Sequence, residues 1–270
     1  CDWSSDVCSS DLKIGKSNYI IGTNNGYINL NLDDFSSEVY SLKIYSSKEQ
    51  ILLSRIMPIL ENFGLQVVDE HTYMVNPNFA QYVETVWIHN FRIIIPLMEK
   101  KNAKLIKDLF ENAILDCWLT QIENDTFNKL VISAKLSSRD VSLIRAYAKY
   151  MRQTNFLYSL SFVSEVLYKN YKAVKKFIEL FYAKFCNKNA TKVKEITKEI
   201  EVILSKINNI AEDSVIRKFI ELLNITLRTN FFQLTDKKQY KNYISFKLKA
   251  SELTDIPLPK PYAEIGRAHV

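Results

Sequence analysis

"VYSLKIYSSKEQILLSRIMPILENFGLQVVDEHTYMV", Val39 to Val75, decides how the first part of this chain folds. Its opening eight residues alternate apolar and polar side chains, with β-branched and aromatic types among them, the pattern of a half-buried strand. The next segment changes period. Ile56, Ile59, Leu60 and Phe63 fall on one face of a helix, Ser54 stands where an N-cap belongs, and Gly64 stands just past the end. Pro58 is tolerable only because it lies close to the first turn. Two longer apolar-rich runs follow, "LQVVDEHTYMV" and "VETVWIHNFRIII", separated by the polar, proline-containing stretch Asn76 to Gln81. The result predicts a β-α-β-β unit with one sheet face covered by the helix.

From about Pro96 to about Arg228 the period is helical. Leu105, Ile106, Leu109, Phe110, Ala113, Ile114, Cys117 and Trp118 form a wide apolar stripe, and Cys117 within it reads as a small buried hydrophobe. "LSSRDVSLIRAYAKYMRQ" opens a helix with Ser137 and Asp140 at capping-box spacing. Further helices are expected at Ser159 to Lys169 and Tyr171 to Cys186. In "TKVKEITKEIEVILSKINNI" the series Val193, Ile196, Ile200, Ile203, Ile207, Ile210 steps by three and four, as in a hairpin arm or bundle helix. The next helix should be capped near Asp213 or Ser214. "YISFKLKA" then reads as a strand and "DIPLPKP" as an extended, proline-fixed segment.

Between two of these helices lies "IENDTFNKL", Ile122 to Leu130. Asn and Asp favour caps and turns, because their short side chains bond nearby backbone N–H groups. A capped corner is expected, with Phe127 and Leu130 in the core and Arg145 of the next helix able to reach Asp125. Asn124, Asp125, Asn128 and Arg145, with Arg228 at the close of the helical stretch, make up the candidate structural motif. A catalytic pair of Glu123 and Asp125 would need a partner acid or base, and an anion-binding face of Arg145, Lys149 and Arg152 is the rival use of that helix. His71 and His89 lie in expected strands without a carboxylate or cysteine at ligand spacing, so they read as edge or packing residues.

Composition narrows the classes. The net charge is +6, without a dense Lys/Arg run, which favours a solvated surface over a nucleic-acid footprint. The longest apolar runs fall short of the roughly 20 residues that span a bilayer. Glycines are sparse, and "GTNNG", Gly22 to Gly26, reads as a turn and not a phosphate loop. The two ends stand apart. Cys1–Leu12 and Ile265–Val270 correspond to translations of one sequencing-adapter oligonucleotide and of its reverse complement, with Glu264 undecided, so they are set aside as foreign and expected to be unstructured or packed only incidentally. That removes Cys1 and Cys8 and leaves Cys117 and Cys186, which match neither a disulfide framework nor a zinc pattern; a reducing cytoplasm is the expected setting.

The runs Leu42 to Val75, "VWIHNF", Ile122 to Phe156, "IRKFIELLNITLRTNFFQ", "SFKL" and "IPLPKPYAEI" occur in the order found in the large bacterial NAD-specific glutamate dehydrogenases, which this chain resembles from about Leu42 to Glu264. The resemblance implies an α+β fold: an ACT-like β-α-β-β module over 13–96, a mainly helical domain over 97–232, and the first strands of a truncated catalytic domain over 233–264. It implies an enzyme that, when whole, converts L-glutamate, NAD and water to 2-oxoglutarate, ammonia and NADH, as a homo-oligomer with a possible amino-acid effector, and with no nucleic-acid or membrane partner. The family's substrate loop, catalytic residues and nucleotide-binding domain follow the equivalent of "KPYAEI". No catalytic, cofactor-binding or metal residue is therefore carried over, and the isolated stretch is expected to be inactive. The alternative is a stand-alone regulatory or scaffold protein whose ACT-like module binds an amino acid.

Overall fold

The computed structural model describes residues 26–31, 39–47, 49–76, 85–96, 103–154, 156–253 and 264–269. The N-terminal tail, the 22–25 part of the glycine turn, most of the 76–81 connection and the proline-fixed segment at 255–261 lie outside those residues.

Strand β2 (Val39–Ser47), helix α1 (Leu53–Asn62), β3 (Gln66–Val75) and β4 (Val86–Ile94) form the expected β-α-β-β unit. β4 pairs antiparallel with both β2 and β3, so β2 and β3 run parallel with β4 between them, a split β-α-β arrangement. An additional strand, β1 (Gly26–Asn31), pairs antiparallel with β2 and gives the order β1-β2-β4-β3. Alternation predicts the faces. Tyr40, Leu42 and Ile44 are buried opposite Ile93, Phe91 and His89, and α1 covers this face with Ile56, Ile59 and Leu60.

The start of α1 departs from expectation. Its N-cap is Leu52 and makes no side-chain capping bond, whereas Ser54 sits inside the helix. A tertiary bond sets this entry: the N–H of the buried Ile51 donates to His89 Nε2 at 3.1 Å. The C-terminal end follows its glycine. Gly64 has φ +82, its N–H donates to Glu61 O at 2.9 Å, and the Leu65 N–H donates to Leu60 O at 3.1 Å, a Schellman closure with Leu60 and Leu65 both buried.

Helix α2 (Ala103–Trp118) packs on α1, where Phe63 and Phe110 meet edge to face at 5.6 Å and the Arg55 guanidinium lies 4.0 Å over the Trp118 ring. Its stripe is buried except at Leu109, which is partly buried, and Leu105, which is half exposed. After a 3-10 turn at Thr126–Asn128 come α3 (Lys129–Ser133), α4 (Ser138–Gln153), α5 (Leu160–Lys169), α6 (Tyr171–Phe185), α7 (Ala190–Leu204) and α8 (Ile210–Ile225). The Ser137–Asp140 capping box is present on α4 and Ser159 caps α5.

Two helix boundaries are corrected. The Val193 to Ile210 series is not one helix: α7 stops at Leu204, and Asn209 caps α8 by accepting from the Ala211 and Glu212 N–H groups. Asp213 therefore lies within the first turn, where a carboxylate favours the positive helix end, and is not itself the cap. At the other end of α8 the Lys184 ammonium donates to the carbonyls of Leu223 and Asn224, both at 2.8 Å, and serves as its cationic cap.

The helical stretch ends at Ile225, three residues before the expected close. Thr226–Thr229 forms β5, because pairing with β6 (Tyr243–Leu248) offers these residues a ladder that outweighs their continuation of the helix. Strand β7 (Glu264–His269) adds to the far side of β6, giving the antiparallel order β5-β6-β7. The C-terminal tail, expected to be unstructured or packed only incidentally, thus joins the sheet as part of an edge strand and not a central one. Backbone N–H and C=O groups along the side of β6 pair with any extended segment, whatever its side chains.

One continuous core runs from the inner face of the first sheet through α2 and α4 to Phe246 and Leu248 of β6. α4 is its axis. From Asp140 to Ala148 every residue is buried, as expected of a helix packed on all sides.

Candidate functional site

The corner between α2 and α4 gathers the polar residues singled out by sequence. Past α2 the chain turns through Thr120 at φ 56, and Asp125 adopts extended backbone as the cap of the 3-10 turn, with its Oδ1 accepting from the Phe127 N–H at 3.1 Å. The turn drives Phe127 and Leu130 into the core. It also buries Asn128 completely. Its Nδ2 donates to Glu123 O at 3.0 Å and its Oδ1 accepts from Arg145 at 2.8 Å.

Arg145 is 3% exposed, and α4 carries it into the concave side of the turn. Its Nε donates to Asp125 Oδ2 at 2.7 Å and one terminal nitrogen to Asp125 Oδ1 at 2.8 Å, the fork-to-carboxylate match that a guanidinium permits and an ammonium does not. The same nitrogen serves Asn128, so one side chain closes the whole turn. Cys117 lies beneath it. Burial pushes its thiol up to about 11, with Arg145 opposing, which leaves a neutral packing group and no ready nucleophile.

The remaining motif residues go elsewhere. Asn124 is exposed and accepts from the Asn62 side chain at the end of α1, 3.0 Å away. Glu123 pairs with Lys149 on the surface. Arg228 is exposed on β5, opposite Lys247 in the register, and is not brought to the corner. Of the two strand histidines, His71 is exposed on the β3 edge beside Asp69, whereas His89 is buried.

His89 forms a second polar group that sequence reasoning missed. Because Nε2 accepts from Ile51, Nδ1 carries the hydrogen, and it faces Glu70 Oε1 at 3.0 Å with the Thr72 hydroxyl 3.2 Å away. The signal was available. His89 shares strand parity with Phe91 and Ile93, so alternation alone puts it on the helix-covered face.

Neither cluster assembles a reaction centre. Among the described residues no group of three or more His, Cys, Asp or Glu side chains could hold a metal ion, and no helix is long and apolar enough to cross a membrane. The described glycines are Gly26 and Gly266 within strands and Gly64 at a helix C-terminus. None opens a helix after a strand, where a dinucleotide's pyrophosphate needs close backbone approach, so the described residues do not fit NAD.

Three family models match in succession: "Glutamate dehydrogenase, ACT3 domain" over residues 29–104, "Glutamate dehydrogenase, helical motif 3" over 122–187, and "Bacterial NAD-glutamate dehydrogenase, catalytic domain" over 199–267. This chain belongs to the bacterial NAD-specific glutamate dehydrogenases. It is 32% identical over 228 residues to the NAD-specific glutamate dehydrogenase of Halomonas elongata and 30% identical over 231 residues to that of Pseudomonas aeruginosa, covering 83% of this chain in both cases. The enzyme of Mycobacterium tuberculosis is 31% identical over 79% of the chain. The chain spans 14% of the length of each of these glutamate dehydrogenases. In the terms of the family, the β1-β2-β4-β3 sheet is the ACT3 domain and the Arg145 corner opens helical motif 3. The catalytic-domain match runs to Arg267, three residues into the tail set aside as adapter-derived. Continuity into that match does not favour a stand-alone scaffold.

Proposed function

We propose that this chain serves as the regulatory and structural part of an enzyme that oxidises L-glutamate to 2-oxoglutarate and ammonia while reducing NAD, and that by itself it turns over no substrate. The observation that carries this reading is the unbroken order of the ACT3, helical-motif and catalytic-domain matches along a chain whose described residues lack a dinucleotide loop. In the complete enzyme its helices would brace the first strands of the catalytic domain, and its ACT3 sheet would face an amino-acid effector or another subunit of a homo-oligomer. The nicotinamide supplies the redox chemistry when bound, and none of the residues described here takes a step in it.

A chimera tests the assignment. Replacing the matching segment of the Pseudomonas aeruginosa relative with this chain should retain glutamate-dependent formation of reduced cofactor, whereas the chain alone should give no absorbance from it. A folded chimera without activity, or dose-dependent turnover by the chain alone, would overturn the reading.

A further inference from the structure

Helix α4 holds both halves of the molecule through bonds that leave it little freedom to slide. On one side Arg145 grips the corner, and the corner reaches the ACT3 sheet's own helix through the 3.0 Å bond from Asn62 to Asn124. On the other, the Tyr147 ring stacks on Phe246 of β6 at 4.5 Å between centroids, and its hydroxyl meets Thr226 Oγ1 of β5 at 2.9 Å. At the N-terminal end Arg139 donates to the carbonyls of Phe231 at 2.6 Å and Lys241 at 3.1 Å, both in the β5–β6 connection. Tyr150 bonds Glu264 of β7.

We propose that α4 couples the C-terminal turn of α1 to the β5-β6-β7 sheet, so that a change in how the ACT3 domain seats against the corner alters the stability of that sheet. The physical basis is packing. A helix buried on every side cannot shift at one contact without repacking the others, since protein interiors hold few voids to absorb the movement. The route crosses no gap. It runs from Asn62 through the corner to Arg145, then along α4 by its own backbone bonds to Tyr147 and Tyr150. Arg145 and Tyr147 point to opposite sides of the helix, so the coupling acts by displacing α4 as a body and not by side-chain contact between them. In the proposed enzyme this would connect the regulatory sheet to the start of the catalytic domain, a clause that rests on the function proposed above; the coupling itself does not.

Coupling of this kind is a free energy that local opening reports. The measurement is native-state hydrogen exchange on the whole chain, with no glutamate or NAD present. Arg145→Lys keeps the charge and loses the fork, and Asn62→Ala removes only an exposed bond between side chains. Both should speed exchange of the β6 amides, Tyr243 to Leu248, by about fivefold or more, the low end of ordinary coupling. Ile196→Val in the core face of α7, off the route, serves as the control for general loss of stability. Reciprocity requires that Tyr147→Phe speed exchange at Phe63, Gly64 and Leu65 by a similar factor. If β6 responds to the two route variants no more than to the control, the coupling is refuted. Should Arg145→Lys fail to fold, Asn62→Ala decides alone. An active chimera with an unresponsive β6 would leave the enzyme assignment standing and the coupling refuted.

Discussion

The guanidinium of Arg145 and the carboxylate of Asp125 meet through two hydrogen bonds of 2.7 and 2.8 Å, although twenty residues separate them in sequence. The arginine is sealed in, whereas the aspartate side chain keeps 31% of its surface open to water. Asp125→Ala therefore strands a buried cation and removes the cap of the 3-10 turn. The loss should be on the order of 2 kcal/mol, between the values for exposed and fully buried pairs. The double variant with Arg145→Ala should lose less than the two single losses combined, because each single change already removes the shared bond. Urea melts of the four proteins check this, and strict additivity would deny the pairing.

Gly64→Ala should destabilise by about 1 to 2 kcal/mol, the cost of left-handed backbone for an L residue. At φ +82 any side chain is strained, and a Cβ there would stand 3.3 Å from Lys129 Cγ, which can yield because it belongs to a flexible chain. Gly64→Asn should recover part of the loss, since asparagine tolerates that region better. Equal midpoints for Gly64→Ala and the parent in a urea titration would contradict the helix closure described for α1.

Cys117 and Cys186 should differ sharply toward alkylation at pH 8. With its thiol pushed up to about 11, Cys117 is thiolate in only about one molecule in a thousand, and its burial excludes reagent as well. Cys186 is exposed. Peptide mapping after brief iodoacetamide treatment should find label on Cys186 and none on Cys117 until denaturant is added.

Asp116, in the last turn of α2, has its carboxyl pKa raised by burial, against an opposing bond from the Ser138 hydroxyl. A folded-state pKa above the unfolded one means that the native state binds the proton more tightly. The stability this contributes is complete below the unfolded value and is lost as pH rises through the folded one. Asp116→Asn keeps an acceptor for Ser138 and removes the titration. Its melting temperature relative to the parent should therefore be more favourable at pH 7 than at pH 3. A difference of constant size at both would show that Asp116 titrates alike in the folded and unfolded chains.

Legibility in the sequence followed the range of the forces involved. Ser137 with Asp140, Ser159, and Gly64 act on neighbours a few residues away, and each cap stands where local chemistry puts it. Period-two alternation marked β2 as a half-buried strand, and Tyr40, Leu42 and Ile44 are the side chains it buries. Failures came where a distant partner decided. Ile51 is held by a histidine 38 positions further on, which moved the start of α1; β5 left the helical pattern because β6 was there to pair with it; β1 is recognisable as a strand only once β2 lies alongside. At the corner, the Asn-Asp pair announced a turn and Arg145 a reach, but Arg228 carried no comparable local signal and lies on an exposed strand.

The partner on the outer side of β6 has a consequence for handling the protein. Six residue pairs, Tyr243 opposite His269 through Leu248 opposite Glu264, keep that backbone occupied, and the ladder asks only for an extended chain. A version shortened before Glu264 would expose a strand whose alternate residues, Ile244, Phe246 and Leu248, are already fixed in the core. It would then present an open sheet edge to the β6 of a neighbour, and because that contact is self-complementary the preparation would shift toward closed pairs as its concentration rises.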